Sequence, residues 1–187
     1  PHRNIDNIVL NVHFYVSYVP MWFRIISKTI FMLYLKLLMF INLLAYSWIV
    51  AQAYMYIIAQ ANVQKSMDAP SYIQLRQLTD RNFMAKYKYV LYISLVTGLL
   101  LCIFTAQDPL GFLFISSAVS FTALVADVLL AIRGNIPINK LINTWTTESY
   151  PADWQTYRAK WLQVYSLRQV ANIIGFTSLL LGALFGT

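Results

Sequence analysis

Four long apolar segments constrain this sequence most strongly, because they set the solvent in which it can fold. They cover about residues 37–59, 89–106, 110–132 and 170–185. A helix needs about 20 apolar residues to cross the hydrocarbon core of a bilayer, so the first and third segments suffice alone. The second and fourth are slightly short, but each continues a helical pattern on its N-terminal side. We predict an all-α protein, a four-helix transmembrane bundle.

The composition supports a bilayer as the natural solvent and the main partner. Of the 187 residues, 59% are hydrophobic and only 11% are charged, whereas a soluble domain has about 25% charged residues. Lys and Arg total 14 against 7 acidic residues. These basic residues flank the apolar segments, which favours anionic lipid head groups over nucleic acid. We therefore expect no nucleic-acid partner.

Metal-binding side chains are scarce. The histidines are His2 and His13, and the single cysteine, Cys102, lies within an apolar segment. Haem, di-iron and copper sites depend heavily on His, and no CxxC pair exists. We expect no metal and no cofactor.

The N-terminal region precedes the predicted membrane domain. We assign residues 1–29 to a leader or an interfacial segment, and residues 30–187 to a single four-span membrane domain. The apolar part of the leader is too short and too interrupted by Asp and Asn for a span. The chain starts at Pro1, and Met21 or Met32 are alternative starts.

Two long polar excursions separate the spans, and their charge predicts the orientation. Residues 62–88 and 133–168 carry five Lys or Arg each, ten in all, against four before the first span. Pro70 and Pro151 suit the first turns of helices of about 35 residues, roughly 50 Å long. The positive-inside rule places both excursions in the cytoplasm. We expect an integral protein of a bacterial cytoplasmic membrane.

The segment RGNIPINKLINTW follows the third span directly. Arg133 suits the C-terminal end of a helix dipole, and Gly134 suits a left-handed terminal residue. Asn135 or Ile136 can cap a new helix, with Pro137 in its first turn. We therefore predict a short interfacial helix between spans three and four.

Polar side chains recur on one edge of that short helix and along the last helix. The asparagines Asn135, Asn139 and Asn143 either face the head groups or point into a cavity between helices. The last helix carries Trp154, Arg158, Trp161, Tyr165, Arg168 and Asn172 at alternating steps of four and three. This stripe forms either an interfacial aromatic belt or the wall of a cationic, aromatic pocket.

Asp127 lies within the third span, where an isolated acid is costly. Arg168 approaches the membrane from the same side and is the partner we predict, with Gln52 or Asn172 adding hydrogen bonds. The pair is either structural or part of a proton-handling site.

Two stretches, GNIPINKLINTW and YPADWQTYRAKWLQVYSLRQVANIIGF, resemble the signature of the anthrone-oxygenase-like family of small four-helix membrane proteins, mostly catalogued as a domain of unknown function. The family pattern is Asn-x-Pro-x-Asn, then a Trp, then a Trp–Arg–Trp helix leading through an Arg into the fourth span. The resemblance covers roughly residues 30–187 and is most specific from 127 to 176. The family's usual His before the final Arg is Tyr165 here, or is absent. The matching residues are Asn135, Pro137, Asn139, Trp145, Trp154, Arg158, Trp161 and Arg168.

The resemblance implies an enzyme, since the fungal members add oxygen to an anthrone without metal or flavin. Such a reaction needs a base and donors that hold an oxyanion. The predicted catalytic residues are Asp127, as the base, Arg158 and Arg168. The predicted substrate-binding residues are Asn135, Asn139, Asn143, Trp145, Trp154, Trp161, Tyr165 and Gln52.

Two functions stay open on the sequence. One is a cofactor-independent oxygenase-like enzyme that acts on a hydrophobic aromatic or quinol-like molecule. The other is a non-enzymatic membrane protein that binds a lipid or a partner subunit. Homo-oligomerisation is compatible with both.

Overall fold

Residues 21–186 are described in a computed structural model of the chain, and they form long helices joined by short connections. Four helices are long and apolar enough to cross a membrane, which confirms the predicted all-α four-helix bundle and makes the chain an integral membrane protein. The helices are α1 (Met21–Met55), α2 (Ala61–Ser66), α3 (Ala69–Thr105), α4 (Phe112–Leu130), α5 (Ile136–Ile142) and α6 (Trp154–Phe185). Helix α5 is the predicted short helix between spans three and four.

The chain divides into two compact units, Pro1–Leu37 and Leu38–Thr187. The described part of the first unit is helical, and the site below lies wholly in the second. Most of the predicted leader, residues 1–20, lies outside the described residues. The predicted division into 1–29 and 30–187 therefore stays a prediction.

The first span is longer than its apolar segment suggested. Within the described residues, helix α1 covers Met21–Met55 and continues through the π-helical turn Tyr56–Gln60 into α2. No Gly or Pro occurs between residues 21 and 66, so nothing in the local sequence ends the helix earlier. The backbone then becomes extended at Met67, with ψ at 144°.

The two helices predicted to project from the membrane have nearly the predicted length. Helix α3 has 37 residues, with Pro70 in its first turn as predicted, and α6 has 32. The predicted start of α6 at Pro151 is wrong. The Trp154 amide donates to the Pro151 carbonyl over 3.1 Å, so Pro151 belongs to a turn that precedes the helix.

The predicted helix break at Gly134 is also wrong. Among the described glycines none has a positive φ, and the helix passes through the π-helical turn Ala131–Asn135 into α5. The Ile136 amide bonds to the Ala131 carbonyl five residues back, so the widened turn accommodates Pro137, which has no N–H to donate. Gly134 serves packing instead, because a Cβ there would lie 2.5 Å from Cγ1 of Val164.

The core has two parts that together position the polar residues. Helices α4 and α6 pack closely along the membrane part, where small residues such as Ser116 and Gly182 face each other. Beyond it, an aromatic end cluster joins the start of α3, α5 and the start of α6. Its buried members are Tyr56, Ala69, Tyr72, Ile73, Ile138, Ile142, Trp145, Trp154, Trp161 and Leu162.

Candidate functional site

The predicted ion pair lies between α4 and α6. Arg168 Nε donates to Asp127 Oδ1 over 2.8 Å, and its Nη2 donates to Oδ2 over 3.4 Å. Asn172 Nδ2 adds a hydrogen bond to Oδ1 at 3.0 Å. Asp127 is 1% exposed. The prediction of a direct pair with Asn172 as a further donor is confirmed, whereas Gln52 lies elsewhere and borders a groove described below.

Asn135 connects this pair to the backbone of α6. Arg168 Nη1 donates to Asn135 Oδ1 over 3.2 Å, and Asn135 Nδ2 donates to the Trp161 carbonyl over 2.9 Å. Both polar atoms of the buried amide are therefore used. Asn135 holds the fourth span against the end of the third.

Asn139 is the centre of a second hydrogen-bond group, between α5, α3 and α6. Its Oδ1 accepts from Trp161 Nε1 at 2.8 Å and from Arg76 Nη2 at 3.3 Å. Its Nδ2 donates to Asp80 Oδ1 over 2.9 Å. The exposed Asn143 donates to the other oxygen of Asp80, also over 2.9 Å. The predicted asparagine row therefore faces other helices and makes hydrogen bonds to them.

Arg76 and Asp80 are the members of this group that the sequence did not point to. They stand four residues apart on α3, so a shared helical face was the available signal. Arg76 is 7% exposed, and its guanidinium lies 3.7 Å from the centre of the Trp161 ring. Burial lowers the pKa of Arg76, and the neighbouring Tyr72 and Asp80 oppose that effect.

The aromatic members of the α6 stripe pack into the bundle. Trp161 stacks on Tyr165 with ring centres 4.6 Å apart, and Tyr165 meets the edge of Tyr56 at 4.7 Å. Trp145 is buried and meets Tyr157 edge-on at 5.6 Å. This arrangement matches the interior alternative for the stripe more closely than a lipid-facing belt.

Arg158 stands apart from the ion pair. Its Nη1 donates to the Met67 carbonyl over 2.7 Å and to the Gln64 carbonyl over 3.4 Å. Its guanidinium lies 4.5 Å from the centre of the Trp154 ring. Arg158 therefore ties the first turns of α6 to the connection between α2 and α3.

Two cavities border this framework. The span groove, of about 380 Å³, lies between α1 and α3, and its walls include Trp48, Gln52, Phe83, Lys86, Tyr87 and Val90. The basic cleft, of about 620 Å³, lies between α2 and α6, and its walls include Lys65, Gln155, Arg158, Gln163 and Ser166. Of the predicted site residues, Gln52 lines the groove and Arg158 lines the cleft. The other predicted residues line neither of these two cavities.

Tyr87 connects the span groove with the ion pair. Its ring stacks on Phe83 with centres 4.3 Å apart, and both rings line the groove. The phenol also interacts electrostatically with Asp127 and Arg168. Tyr87 therefore belongs to the wall of the groove and lies within electrostatic range of the buried pair.

Within residues 21–186, no group of His, Cys, Asp and Glu is arranged to hold a metal ion. No family model matches the chain, and no curated protein and no solved structure matches it. The resemblance to the anthrone-oxygenase-like family therefore stays a prediction from its motifs.

Proposed function

We propose that this integral membrane protein binds a flat hydrophobic molecule, aromatic or quinol-like, in the span groove. The observation that carries the proposal is the composition of the groove. Trp48, Phe83 and Tyr87 supply aromatic surface, while Gln52 and Lys86 supply a few polar contacts. Ligand pockets combine these features, and the volume of about 380 Å³ falls in their range of about 300–1,000 Å³.

The finer form of the proposal is oxygenase-like chemistry without metal or flavin, as the family resemblance implies. Asp127 accepts three hydrogen bonds and is 1% exposed, so it is poorly placed to reach a substrate directly. Tyr87 lines the groove and is the better candidate for contact with a reacting oxygen. In this proposal the Asp127–Arg168 pair acts behind Tyr87 and balances the charge that develops there.

A second candidate is a membrane protein that binds a lipid or a partner subunit without catalysis. The saturated hydrogen bonding of Asp127 favours it, because a satisfied buried pair needs no catalytic role. Both candidates place the ligand in the span groove. Only the enzyme would convert that ligand to a product.

The experiment measures binding and turnover on the same sample, the full chain in lipid nanodiscs. An anthrone and a short-chain quinol serve as probes, with tryptophan quenching for binding and an oxygen electrode for turnover. Phe83→Ala should weaken binding roughly 3–10-fold, the value of one aromatic contact. The matched control is Phe112→Ala, at a residue that is 49% exposed to the surroundings.

The outcomes separate the candidates. Quenching that Phe83→Ala weakens, together with oxygen consumption that Tyr87→Phe abolishes, supports the enzyme. The same quenching without oxygen consumption supports the non-catalytic protein. Absence of quenching, or equal weakening by Phe83→Ala and Phe112→Ala, refutes the groove as the site.

The proposed location is a bacterial cytoplasmic membrane with residues 62–88 and 133–168 in the cytoplasm, where ten of the 14 Lys and Arg then lie. The background for the test is Cys102→Ser. An impermeant thiol reagent applied to whole cells should leave Ser66→Cys and Thr147→Cys unlabelled and should label them after lysis. Efficient labelling of intact cells at either position would reverse the orientation.

A further inference from the structure

The basic cleft has the chemistry of an anion site. Lys65 and Arg158 line it, and none of the side chains in its walls is acidic. Gln155 and Gln163 add side-chain amides that can donate hydrogen bonds, whereas the Ser166 hydroxyl already donates to the Leu162 carbonyl. A cleft of about 620 Å³ with two cations and several neutral donors is suited to a phosphate group and the first atoms attached to it.

The Arg158 guanidinium in the wall of the cleft is already fixed in place. Two backbone carbonyls, those of Met67 and Gln64, accept from Arg158 Nη1, and the Trp154 ring covers one face of the group. Within the described residues, the hydrogen bonds of Arg158 all come from Nη1. A planar guanidinium held in this way loses little further freedom when it binds an oxyanion.

The position of the cleft indicates the source of the phosphate. Lys65 lies in the last turn of α2, six residues or about 9 Å beyond the first apolar segment, and Arg158 donates to the Gln64 carbonyl beside it. Ends of membrane helices with Lys, Arg and Trp are where lipid head groups lie. A phosphate at this depth belongs to a lipid more readily than to a soluble ligand.

We propose that the basic cleft binds the phosphate of an anionic membrane lipid. Arg158 and Lys65 neutralise the phosphate charge, while Gln155 and Gln163 donate to its oxygens. This site is separate from the span groove and does not depend on the proposed function. It also gives Arg158 a role in binding, in place of the catalytic role that its motif predicted.

The test uses the full chain in a neutral detergent and measures binding by tryptophan fluorescence. The probes are short-chain phosphatidylglycerol, phosphatidylcholine of the same chain length, and inorganic phosphate. We expect phosphatidylglycerol to bind at least about fivefold more tightly than phosphatidylcholine, the value of one cation near an anionic lipid. Lys65→Gln should weaken the binding of phosphatidylglycerol by about the same fivefold factor.

A matched control variant separates a loss specific to the cleft from a general loss of positive charge. Lys160→Gln changes the same charge at an exposed position on α6 outside the cleft, and it should leave binding unchanged. Equal binding of the two lipids, or equal losses in Lys65→Gln and Lys160→Gln, overturns the proposal. Tight binding of inorganic phosphate without a lipid preference assigns the cleft to a soluble phosphate and also overturns it. Arg158→Lys keeps the positive charge but loses the planar guanidinium, which can donate two parallel hydrogen bonds to a phosphate. This variant should therefore bind phosphatidylglycerol more weakly than the natural chain.

Discussion

Replacing Arg168 with Leu isolates the most buried charge in the described part of the protein. Asp127, which is 1% exposed, would keep one donor, Asn172 at 3.0 Å. It would lose the contacts of 2.8 Å and 3.4 Å to the guanidinium. Removing one partner of a buried ion pair costs about 3–5 kcal/mol, because the remaining charge is uncompensated. Asp127→Leu should cost an amount near the lower end of this range, because Arg168 would keep its hydrogen bond to Asn135. The Arg168 side chain is also 12% exposed.

The double variant is expected to recover much of this loss. Without either charge, the groups left unpaired are Asn172 Nδ2 and Asn135 Oδ1. Each unsatisfied buried group destabilises the protein by about 1–3 kcal/mol. With Asp127→Leu at about 3 kcal/mol, the two single costs sum to about 6–8 kcal/mol, whereas the double variant should cost about 2–6 kcal/mol. The middle of these ranges, about 7 against about 4 kcal/mol, gives an expected coupling of about 3 kcal/mol between Asp127 and Arg168.

The assay is reversible unfolding in mixed micelles, with the free energy of unfolding measured for the natural chain, both single variants and the double variant. Arg133→Leu is the matched control, because Arg133 is exposed and lies one to two turns from Asp127 along the same helix. Its effect should add to that of Asp127→Leu within about 0.5 kcal/mol. Additive losses for Asp127 and Arg168 as well would refute the reasoning. Ligand binding that stays lost in a restored double variant would indicate a functional pair.

Three further changes test other parts of the framework by the same unfolding assay. Gly134→Ala should destabilise the protein by about 1–3 kcal/mol through overpacking. Gly98→Ala should cost less, because the nearest neighbour of its Cβ would lie at 3.3 Å. Equal costs would contradict the packing role of Gly134. Asn139→Leu breaks three hydrogen bonds, whereas Asn143→Leu breaks one. The first variant should therefore lose at least about 2 kcal/mol more stability than the second. Similar losses would contradict the central position of Asn139. Burial raises the pKa of Tyr72 to about 12, so the folded phenol stays protonated while the unfolded one ionises, and stability should fall between about pH 10 and 12. Tyr72→Phe should reduce that fall by roughly 2 kcal/mol, and an unchanged pH profile would contradict it.

The spans and the ion pair could be predicted because each depends on the membrane as a solvent. Segment length decides whether a helix crosses the hydrocarbon, and the cost of a lone acid requires a partner at similar depth. Asp127 and Arg168 satisfy that requirement although they lie 41 residues apart in sequence. The local sequence was sufficient here because the constraint acts on depth and needs no knowledge of which helices are neighbours.

The partners of Asn139 and the course of the chain at Gly134 could not be predicted in this way. Arg76 and Asp80 come from a helix whose rotation depends on packing across the whole bundle. At Gly134 the local preference for a helix end competes with the close approach of Val164, and packing prevails. The start of α6 at Trp154 is a similar case, because Pro151 suits both a first helical turn and the turn that precedes one.

The unbroken helix at Gly134 explains why asparagines recur at every fourth position there. A left-handed break would have turned Asn135 away from Asn139 and Asn143, whereas a helix that continues through a π-helical turn keeps them on one side. That side meets α6 and the projecting half of α3, so its amides can bind Arg168, Trp161 and Asp80 at once. Their donors and acceptors are then largely occupied by protein, which leaves little capacity for a ligand. Ligand chemistry is therefore expected beside this network, at the span groove and the basic cleft, whose walls include Tyr87 and Arg158.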